Sequence, residues 1–399
     1  MPNETQYLSK TSKSKKIPEY SLTGDLLSFL RCGLQYRYHN KGSLPPSTPV
    51  QLWFGEFIHG VMEQAYNEWK DNDSKKIFDW DWEECIRPIE MDVYEQLNAS
   101  GIRPSSNLFC HYDESETRNI SCKDSNHPHK RIGSRRAELS INTWGKHLFP
   151  LINKAEIKLK DIQPMPNYDE KKSRSKYYGI TGIIDVISSI NITDAPSGNL
   201  IITYLKNDGL FKNEENQEYE IIIDYKGMKR PSLDEGTWDY HEWQILTYSM
   251  LRSKQPDSKR IIAGIIFYLN ELELSEENML ELKSDVRNSS TDIMPDKHDF
   301  EKITRWKKRQ KIPNLSSAFR EKRSIRIIKV EEDKIRDALH NFENTVEQIE
   351  SAVNKESNNQ KIKEAWPTPE EPRESDCTVC DFKTICSNPN NKKYKPTVP

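Results

Sequence analysis

The sequence has no long hydrophobic run and no strong excess of charge of one sign. Its longest apolar stretch covers seven residues, 261–267, whereas a membrane-spanning helix needs ~20. The first residues carry lysine, threonine and serine without the apolar centre of a secretory signal. Lysine and arginine number 59 against 62 acidic residues, which excludes a uniformly basic nucleic-acid coat but allows a local basic patch. We therefore expect a cytoplasmic protein with no membrane partner.

Cysteine is scarce, and the motifs of a motor or a repeat protein are missing. The seven cysteines are odd in number and unevenly spaced. In a reducing compartment this argues against a disulfide framework and makes metal or cluster ligation the better question. There is no G-x₄-G-K-S/T loop to indicate an ATP motor, and no repeat of fixed period. A chain of 399 residues with 10% aromatics is long enough and apolar enough to form a sizeable core.

β-Branched runs dominate the middle of the chain, and helical periodicity dominates its flanks. Apolar residues at i and i+4 predict helices over 50–70 and 331–353, and a further helix is predicted over 238–252. Residues 101–133 have the composition of a long loop. A central set of strands with an intervening helix indicates an α/β core. The predicted strands cover residues 156–162, 182–190, 200–205, 219–225, 261–269 and 324–330.

Two acids lie at or within apolar strands. Asp185 ends the sequence Gly-Ile-Ile-Asp, and Asp224 follows three isoleucines. A buried carboxylate is unfavourable unless it is paired or bound to a cation. Lys226 stands two residues after Asp224, so both side chains point to one face of the strand. Either motif alone is explained more simply by solvent-facing acids, but together they predict a site for Mg²⁺ or Mn²⁺ in which the lysine stabilises charge on a phosphoryl oxygen.

Three other polar side chains gain meaning from these acids. Gln244 and Tyr248 lie one turn apart on the 238–252 helix and can donate hydrogen bonds to a phosphate or a base edge. By themselves they would be an ordinary surface pair. His59 lies at the edge of the apolar stripe of the 50–70 helix, where a lone histidine is more often structural. Beside two strand acids it becomes a candidate metal ligand.

Three cysteines near the C-terminus form a C-x₂-C-x₅-C pattern, namely Cys377, Cys380 and Cys386. A tetrahedral site or a cluster needs a fourth ligand, and Cys32 is the candidate. A zinc knuckle or incidental cysteines are the alternative explanations. A second group has the residue types of a zinc site without the spacing of a known motif: Cys110, His111, Cys122, His127 and His129.

In combination, these motifs resemble the PD-(D/E)XK nuclease superfamily. Within it they resemble the iron–sulfur RecB-like branch, which includes CRISPR-associated exonucleases and the nuclease domains of AddAB-type helicase–nucleases. The resemblance implies a restriction-endonuclease-like fold, with a central mixed sheet flanked by helices. The matching elements follow one another along the chain as Cys32, His59, Asp185, Asp224-Tyr-Lys226, Gln244-x₃-Tyr248 and Cys377/Cys380/Cys386.

The resemblance also implies roles for these residues. His59, Asp185 and Asp224 would bind the metal, with Asp185, Asp224 and Lys226 as the catalytic set. Gln244 and Tyr248 would lie near the DNA. The four motif cysteines would hold a 4Fe–4S cluster that ties the two chain ends together: Cys32, Cys377, Cys380 and Cys386.

A basic segment fits the same interpretation. Residues 302–329 contain eleven lysines and arginines and one acid. A basic run is usually a solvated face, but this concentration predicts phosphate binding. Lys307, Lys308 and Arg309 are the candidate DNA contacts, and Trp306 among them either stacks on a base or belongs to the core.

We therefore expect a metal-dependent DNA nuclease, an exonuclease on single strands or DNA ends, in repair, recombination or defence against foreign DNA. A helicase or defence-complex protein would be its partner. The rival from another class is a non-catalytic DNA-binding or scaffold subunit, and a weaker rival is an RNA-directed nuclease. The expected segments are 1–48 with the first cysteine, 49–150 with the histidine helix and a helical insertion, 151–330 as nuclease core, and 331–399 as C-terminal helix and cysteine clasp.

Overall fold

Six strands form one mixed sheet. The computed structural model describes residues 17–41, 50–111, 130–170, 173–191, 198–210, 218–373, 376–377, 380–383 and 386. The strand order is β1-β3-β4-β5-β6, with β2 paired to β3. The β1–β3 and β4–β5 pairs are parallel, and the other pairs are antiparallel. The strands are β1 Glu19–Ser21, β2 Ile152–Pro164, β3 Tyr177–Asn191, β4 Glu218–Lys226, β5 Arg260–Tyr268 and β6 Ile325–Lys329.

Helices surround this sheet and make up most of the remaining described chain. Short 3₁₀ or π turns join several of them. Within the described ranges, no helix is long and apolar enough to span a bilayer. The helices are α1 Leu27–Arg31, α2 Gly33–Tyr36, α3 Val50–Asp71, α4 Arg87–Ala99, α5 Ile132–Ser140, α6 Lys146–Leu148, α7 Leu200–Asn207, α8 Gly236–Ser253, α9 Glu276–Asn288, α10 Lys297–Arg305, α11 Ser317–Ser324, α12 Glu332–Ser357 and α13 Ile362–Ala365.

Each face of the sheet has its own apolar core. Successive side chains of a strand point to opposite faces, and β4 shows this directly. Ile221 and Ile223 belong to the core under α3, whereas Ile222 belongs to the core under α8 and α12. A sheet covered on both faces, with helices in two layers, agrees with the mixed α/β fold expected from the sequence.

One predicted strand is wrong. Residues 200–205 form part of α7, an α-helix over Leu200–Asn207. The Asn199 side chain accepts hydrogen bonds from the backbone N–H groups of Ile201 and Ile202, at 3.0 and 3.2 Å, which is a strong helix start. Ile201, Ile202 and Leu205 are buried, and that spacing suits one helix face as well as a strand. The cap therefore decided the structure, because β-branched residues alone set only a weak preference.

The two ends of the described chain pack against each other. Trp366, just after α13, is fully buried, and its ring lies 6.3 Å from that of Phe29 and 6.0 Å from that of Tyr36. Its indole N–H donates to Glu356 at 2.6 Å, and the same carboxylate pairs with Arg37 at 2.6 Å. The N-terminal helices are thus fixed to α12 by both apolar packing and a partly buried ion pair.

A small helical module lies between β5 and β6. It spans residues 269–324, contains α9, α10 and α11, and has an apolar cluster of its own. Trp306 is a member of that cluster and is only 4% exposed. Of the two roles considered for Trp306, the structure supports the core and not a stacking platform for bases.

Helix α8 can approach the sheet closely because two residues beneath it lack a side chain. A Cβ at Gly264 on β5 would lie 2.0 Å from Ile245 Cγ2, and a Cβ at Gly182 on β3 would lie 2.7 Å from Tyr248 Cε1. Any larger residue at either position would push the helix away from the strands. The Gly of the Gly-Ile-Ile-Asp motif thus has a packing role, since it sets the position of the helix that carries Gln244 and Tyr248.

Replacing Gly264 by alanine should therefore destabilise the fold by about 1–3 kcal/mol through overpacking. Gly55 in the second turn of α3 is the matched control, because a Cβ there meets nothing within 4 Å. Gly55→Ala should be neutral or stabilising by about 0.5–1 kcal/mol. Urea unfolding of the two variants measures both effects. Equal midpoints for Gly264→Ala and the wild type would show that α8 does not depend on this contact.

Candidate active site

Asp185 and Asp224 lie side by side on neighbouring strands. The antiparallel register pairs Val186 of β3 with Ile223 of β4, so one step further brings the two acids together. The Asp185 carboxylate accepts a hydrogen bond from the backbone N–H of Tyr225 at 2.9 Å. Its Oδ2 also lies 3.3 Å from Nδ1 of His59 on α3. Asp224 is 3% exposed and lies near the C-terminal end of β4, and the Asp185 side chain is 11% exposed and lies within β3.

Asp224 is connected to Lys226 and to helix α8. The Lys226 ammonium lies 2.7 Å from Asp224 Oδ2 and donates to Gln244 Oε1 at 2.8 Å. The Gln244 amide nitrogen donates to Asp224 Oδ1 at 2.8 Å and contacts the Tyr248 hydroxyl at 3.2 Å. Gln244 therefore bridges the acid and the lysine with both ends of its amide. This arrangement fixes the two groups relative to each other.

Gln244 and Tyr248 are less accessible than the sequence suggested. Each is 5% exposed, and the polar atoms of Gln244 are already used within the site. That burial favours a role in positioning Asp224 and Lys226. The structure brings both residues to the predicted place, next to the acids, but does not present them as an open surface for a base edge.

Glu156 is a site residue that the sequence reasoning missed. It lies on β2 with φ of 49°, a left-handed conformation that is uncommon for a residue other than glycine. This local change of strand direction accompanies its placement beside Asp185. Ligand atoms of His59, Glu156 and Asp185 all lie within 4.8 Å of one another, the single such group among the residues that the structure describes. The signal in the sequence was an acid at the start of the alternating run 156–162.

The titration behaviour of the site reflects its crowded charges. Burial opposes protonation of His59, but the adjacent Asp185 carboxylate raises the pKa of His59 to about 9. Although burial disfavours the ionised form, His59, Lys226 and the Tyr225 N–H keep the pKa of Asp185 below its usual value. Burial and the neighbouring Asp185 charge raise the pKa of Asp224. Partial desolvation, followed by the Asp185 charge, raises the pKa of Glu156 to about 7.

The donor set fits a hard divalent cation. Asp224 Oδ2 is buried, with the Lys226 ammonium 2.7 Å away. A buried carboxylate is unfavourable unless it is paired or bound to a cation. Carboxylate oxygens with one imidazole are donors suited to Mg²⁺ or Mn²⁺. Among the described residues, the compact group that could hold such an ion is His59, Glu156 and Asp185, whereas the predicted ligand Asp224 lies beside that group on β4 and is not part of it.

The predicted cysteine set comes together where the N-terminal helices meet the C-terminal segment. Cys32 and the three C-terminal cysteines are free thiols that line one small cavity. Burial, the largest effect, raises the pKa of Cys32, Cys377 and Cys380, and the charge of a neighbouring cysteine raises each further. The N-terminal and C-terminal segments therefore meet at these thiols, with 344 residues between Cys32 and Cys377 in the sequence.

The second zinc group lies largely outside the described residues. Cys122, His127 and His129 are not among them. Cys110 is buried, and its carbonyl accepts a hydrogen bond from Arg87 at 2.6 Å. The His111 ring stacks on Tyr94 with ring centres 5.0 Å apart.

The basic segment 302–329 divides into two parts. Arg323 makes a fully buried ion pair with Glu271 at 2.6 Å, and Arg326 pairs with Glu242 at 3.0 Å. These arginines are structural and cannot form part of a continuous track for DNA. The exposed positive charges are concentrated in the turn after α10, which contains Lys307, Lys308 and Arg309. None of these three side chains makes an ion pair with another described residue.

Divalent-cation affinity should rise with pH. A metal ligand must be unprotonated, whereas His59 with a pKa of about 9 is mostly protonated at neutral pH in the metal-free protein. Binding of Mn²⁺ should therefore release a proton, and affinity should increase by up to about tenfold per pH unit. Calorimetry at pH 6.5 and 8.5 in buffers of different ionisation enthalpy counts the protons. In His59→Asn this proton should disappear, while equal affinities of the wild type at both pH values would contradict the assignment.

Comparison with known proteins is consistent with this geometry. Residues 212–387 match the family model of the PD-(D/E)XK nuclease superfamily. No curated protein matches the chain. The matched segment is less than half of the sequence, and it includes Asp224, Lys226, Gln244, Tyr248 and the three C-terminal cysteines. His59 and Asp185 precede it, and the fold alone brings them to the matched residues. Over residues 212–387 the chain is therefore similar to the PD-(D/E)XK nuclease superfamily, and the match suggests a metal-dependent nuclease.

Proposed function

We propose that this protein is a metal-dependent deoxyribonuclease that hydrolyses phosphodiester bonds, acting as an exonuclease on single strands or DNA ends. The observation that supports this most directly is the arrangement of Asp185, Asp224 and Lys226. They lie together on the neighbouring strands β3 and β4, with His59 facing Asp185 from α3. A phosphodiester is an anion, so its hydrolysis requires positive charge close to carboxylates that could bind a cation. Repair, recombination or defence against foreign DNA is the process that fits such an activity.

The metal ligands in this proposal are His59, Asp185 and Asp224, to which we add Glu156. When bound, a divalent cation would polarise the phosphoryl oxygen and lower the pKa of a water molecule. The chain's own residues prepare the site for it. Asp185 and Asp224 supply negative charge in a poorly solvated place, where electrostatic interactions are strong. Glu156, the most exposed of the acids, lies on the side of the site open to solvent.

Lys226 is the residue that we propose to act on the phosphate itself. Its side chain is 18% exposed, so the ammonium is accessible from the surface while Asp224 and Gln244 fix its position. A lysine held in this way keeps its positive charge available for the oxygen on which negative charge develops. Gln244 and Tyr248 contribute as positioning residues behind it, next to the path of the DNA.

We further propose that Cys32, Cys377, Cys380 and Cys386 hold a 4Fe–4S cluster. The four thiols line one small cavity, Cys32 from the N-terminal helices and the other three from the C-terminal segment. Four thiolates are the usual ligands of such a cluster. Such a cluster would fix the N-terminal helices to the C-terminal segment, next to the packing around Trp366.

Removal of the charge of either Asp224 or Lys226, at the end of β4, should abolish cleavage and leave the fold intact. We expect Asp224→Asn and Lys226→Gln to reduce the cleavage rate by about 100-fold or more. The matched controls are Asp208→Asn and Lys206→Gln at the exposed end of α7, which should cleave like the wild type. Cleavage of end-labelled DNA with Mg²⁺ or Mn²⁺ provides the measurement.

Binding should persist in both site variants, as measured by fluorescence anisotropy without metal. Wild-type protein that binds DNA but never cleaves it with any divalent metal would support the rival function, a non-catalytic DNA-binding subunit. Wild-type rates in Lys226→Gln would remove the lysine from the reaction.

Protein purified without oxygen should be brown and contain iron and acid-labile sulfide in near-equal amounts. Cys32→Ala should lose most of that iron and melt at a lower temperature, since the cluster joins both chain ends. Cys85 is also a free thiol but lies apart from this set, so Cys85→Ala should keep the iron. Stoichiometric zinc without iron in anaerobic protein would replace the cluster by a mononuclear site.

A further inference from the structure

An open groove in the helical module is lined by positive side chains from two separate elements. It lies between α9 and the turn that follows α10, and its volume is about 540 Å³. Lys283 and Arg287 enter it from α9, one turn apart on the same helix face. Lys307 and Lys308 enter it from the turn. The remaining lining residues are uncharged: Leu280, Ser284, Asn288 and Trp306.

Four cations share this groove without an acidic neighbour in its wall. Burial, Arg287 and Lys307 together lower the pKa of Lys283, which shows that these charges are close enough to repel one another. Two acids of α9, Glu281 and Asp285, face Lys229 on the opposite side of the helix. A third, Glu276, does not line the groove but accepts a hydrogen bond from the backbone N–H of Arg309 at 3.1 Å, at the far end of the turn. The excess positive charge of the groove wall is unfavourable for the isolated fold and favourable for binding a polyanion.

Capping of a neighbouring helix accounts for two of the four cations but not for Lys307 and Lys308. Lys283 donates to the carbonyl of Trp306, and Arg287 donates to the carbonyl of Thr304 at 3.4 Å. Both contacts cap the C-terminal end of α10, where cations are stabilising. Lys307 and Lys308 make no such contact and are exposed. Arg287 uses one donor in this contact, so its other N–H groups are available for a ligand.

The module lies at the edge of the sheet that carries the candidate active site. Strands β4 and β5 are parallel, and their last pair joins Lys226 with Tyr268. The chain enters the module directly after Tyr268. The loop that follows Lys226 is fixed to the module, because Arg230 pairs with Asp292 and donates to it at 2.7 Å. The groove therefore belongs to a module that is fixed beside the loop after Lys226, and it lies on the face of α9 opposite Lys229.

We propose that this groove binds the sugar–phosphate backbone of a polynucleotide, and that Lys283 and Arg287 are phosphate-binding residues in it together with Lys307 and Lys308. The inference rests on the proposed nuclease function, but it concerns binding and not cleavage. Lysine and arginine at successive turns present charges to neighbouring phosphates and read no base edge. The binding should therefore be independent of sequence and sensitive to salt.

The test measures binding of fluorescent single-stranded oligonucleotides of several sequences by anisotropy, in EDTA, at a series of salt concentrations. Lys283→Ala/Arg287→Ala should weaken binding roughly tenfold at low salt and reduce the log–log salt slope by about 1.4, the value for two phosphates. Lys283→Arg/Arg287→Lys keeps both charges and should bind like the wild type. Lys70→Ala/Lys206→Ala removes two exposed lysines elsewhere and serves as the matched control.

A second variant and the metal-free assay distinguish loss of binding from loss of folding or of cleavage. If the alanine variant of α9 does not fold, Lys307→Ala/Lys308→Ala tests the same groove on an exposed turn and should show the same loss of slope. Equal affinity and slope in the groove variants and the Lys70/Lys206 control would overturn the proposal, as would wild-type protein that does not bind polynucleotides. Because the assay contains no metal, loss of cleavage in Asp224→Asn with unchanged binding leaves the groove supported, and the two proposals fail separately.

Discussion

Asp185 and Asp224 lie next to each other on β3 and β4 with little access to water, where two carboxylates repel each other and both resist ionisation. The rest of the site compensates for that repulsion. His59 approaches one acid from α3, and Lys226 approaches the other from its own strand. Even so, burial and the adjacent Asp185 charge keep the pKa of Asp224 raised. The negative charge of the two carboxylates is therefore not fully compensated by protein groups. Such remaining charge is what a cation site requires before its ion binds.

The geometry of this site depends on how closely α8 packs on the sheet. Gln244 can bridge Asp224 and Lys226 only if its helix lies near the strands, and the missing side chains at Gly182 and Gly264 permit that distance. The close packing also excludes water from the acids, which strengthens every interaction among them. The same apolar contacts that stabilise the core under α8 therefore set the electrostatics of the candidate site.

The sequence predicted those site residues whose type and local spacing by themselves indicate a role. The acids on β3 and β4, the lysine two positions later and the two polar residues of α8 all lie where strand and helix periodicity placed them. Glu156 was missed, because its position depends on a left-handed backbone conformation that no local pattern indicates. Residues 200–205 were assigned to a strand because the Asn199 cap was not weighed. Arg323 and Arg326 were included in the basic segment predicted to bind phosphate, because their partners, Glu271 and Glu242, are distant in sequence.

Arginine and lysine occupy different environments in the basic segment 302–329. Its buried positions are arginines, whose planar guanidinium makes several hydrogen bonds at once, as Arg323 does with both Glu271 oxygens and Thr291. Its exposed positions are mostly lysines, which are strongly hydrated and stay in solvent. A count of charge along the sequence does not separate the buried arginines from the exposed lysines, whereas only the exposed side chains are available to a ligand. It is the fold that supplies the missing half of a binding surface, by placing Lys283 and Arg287 of α9 beside Lys307 and Lys308.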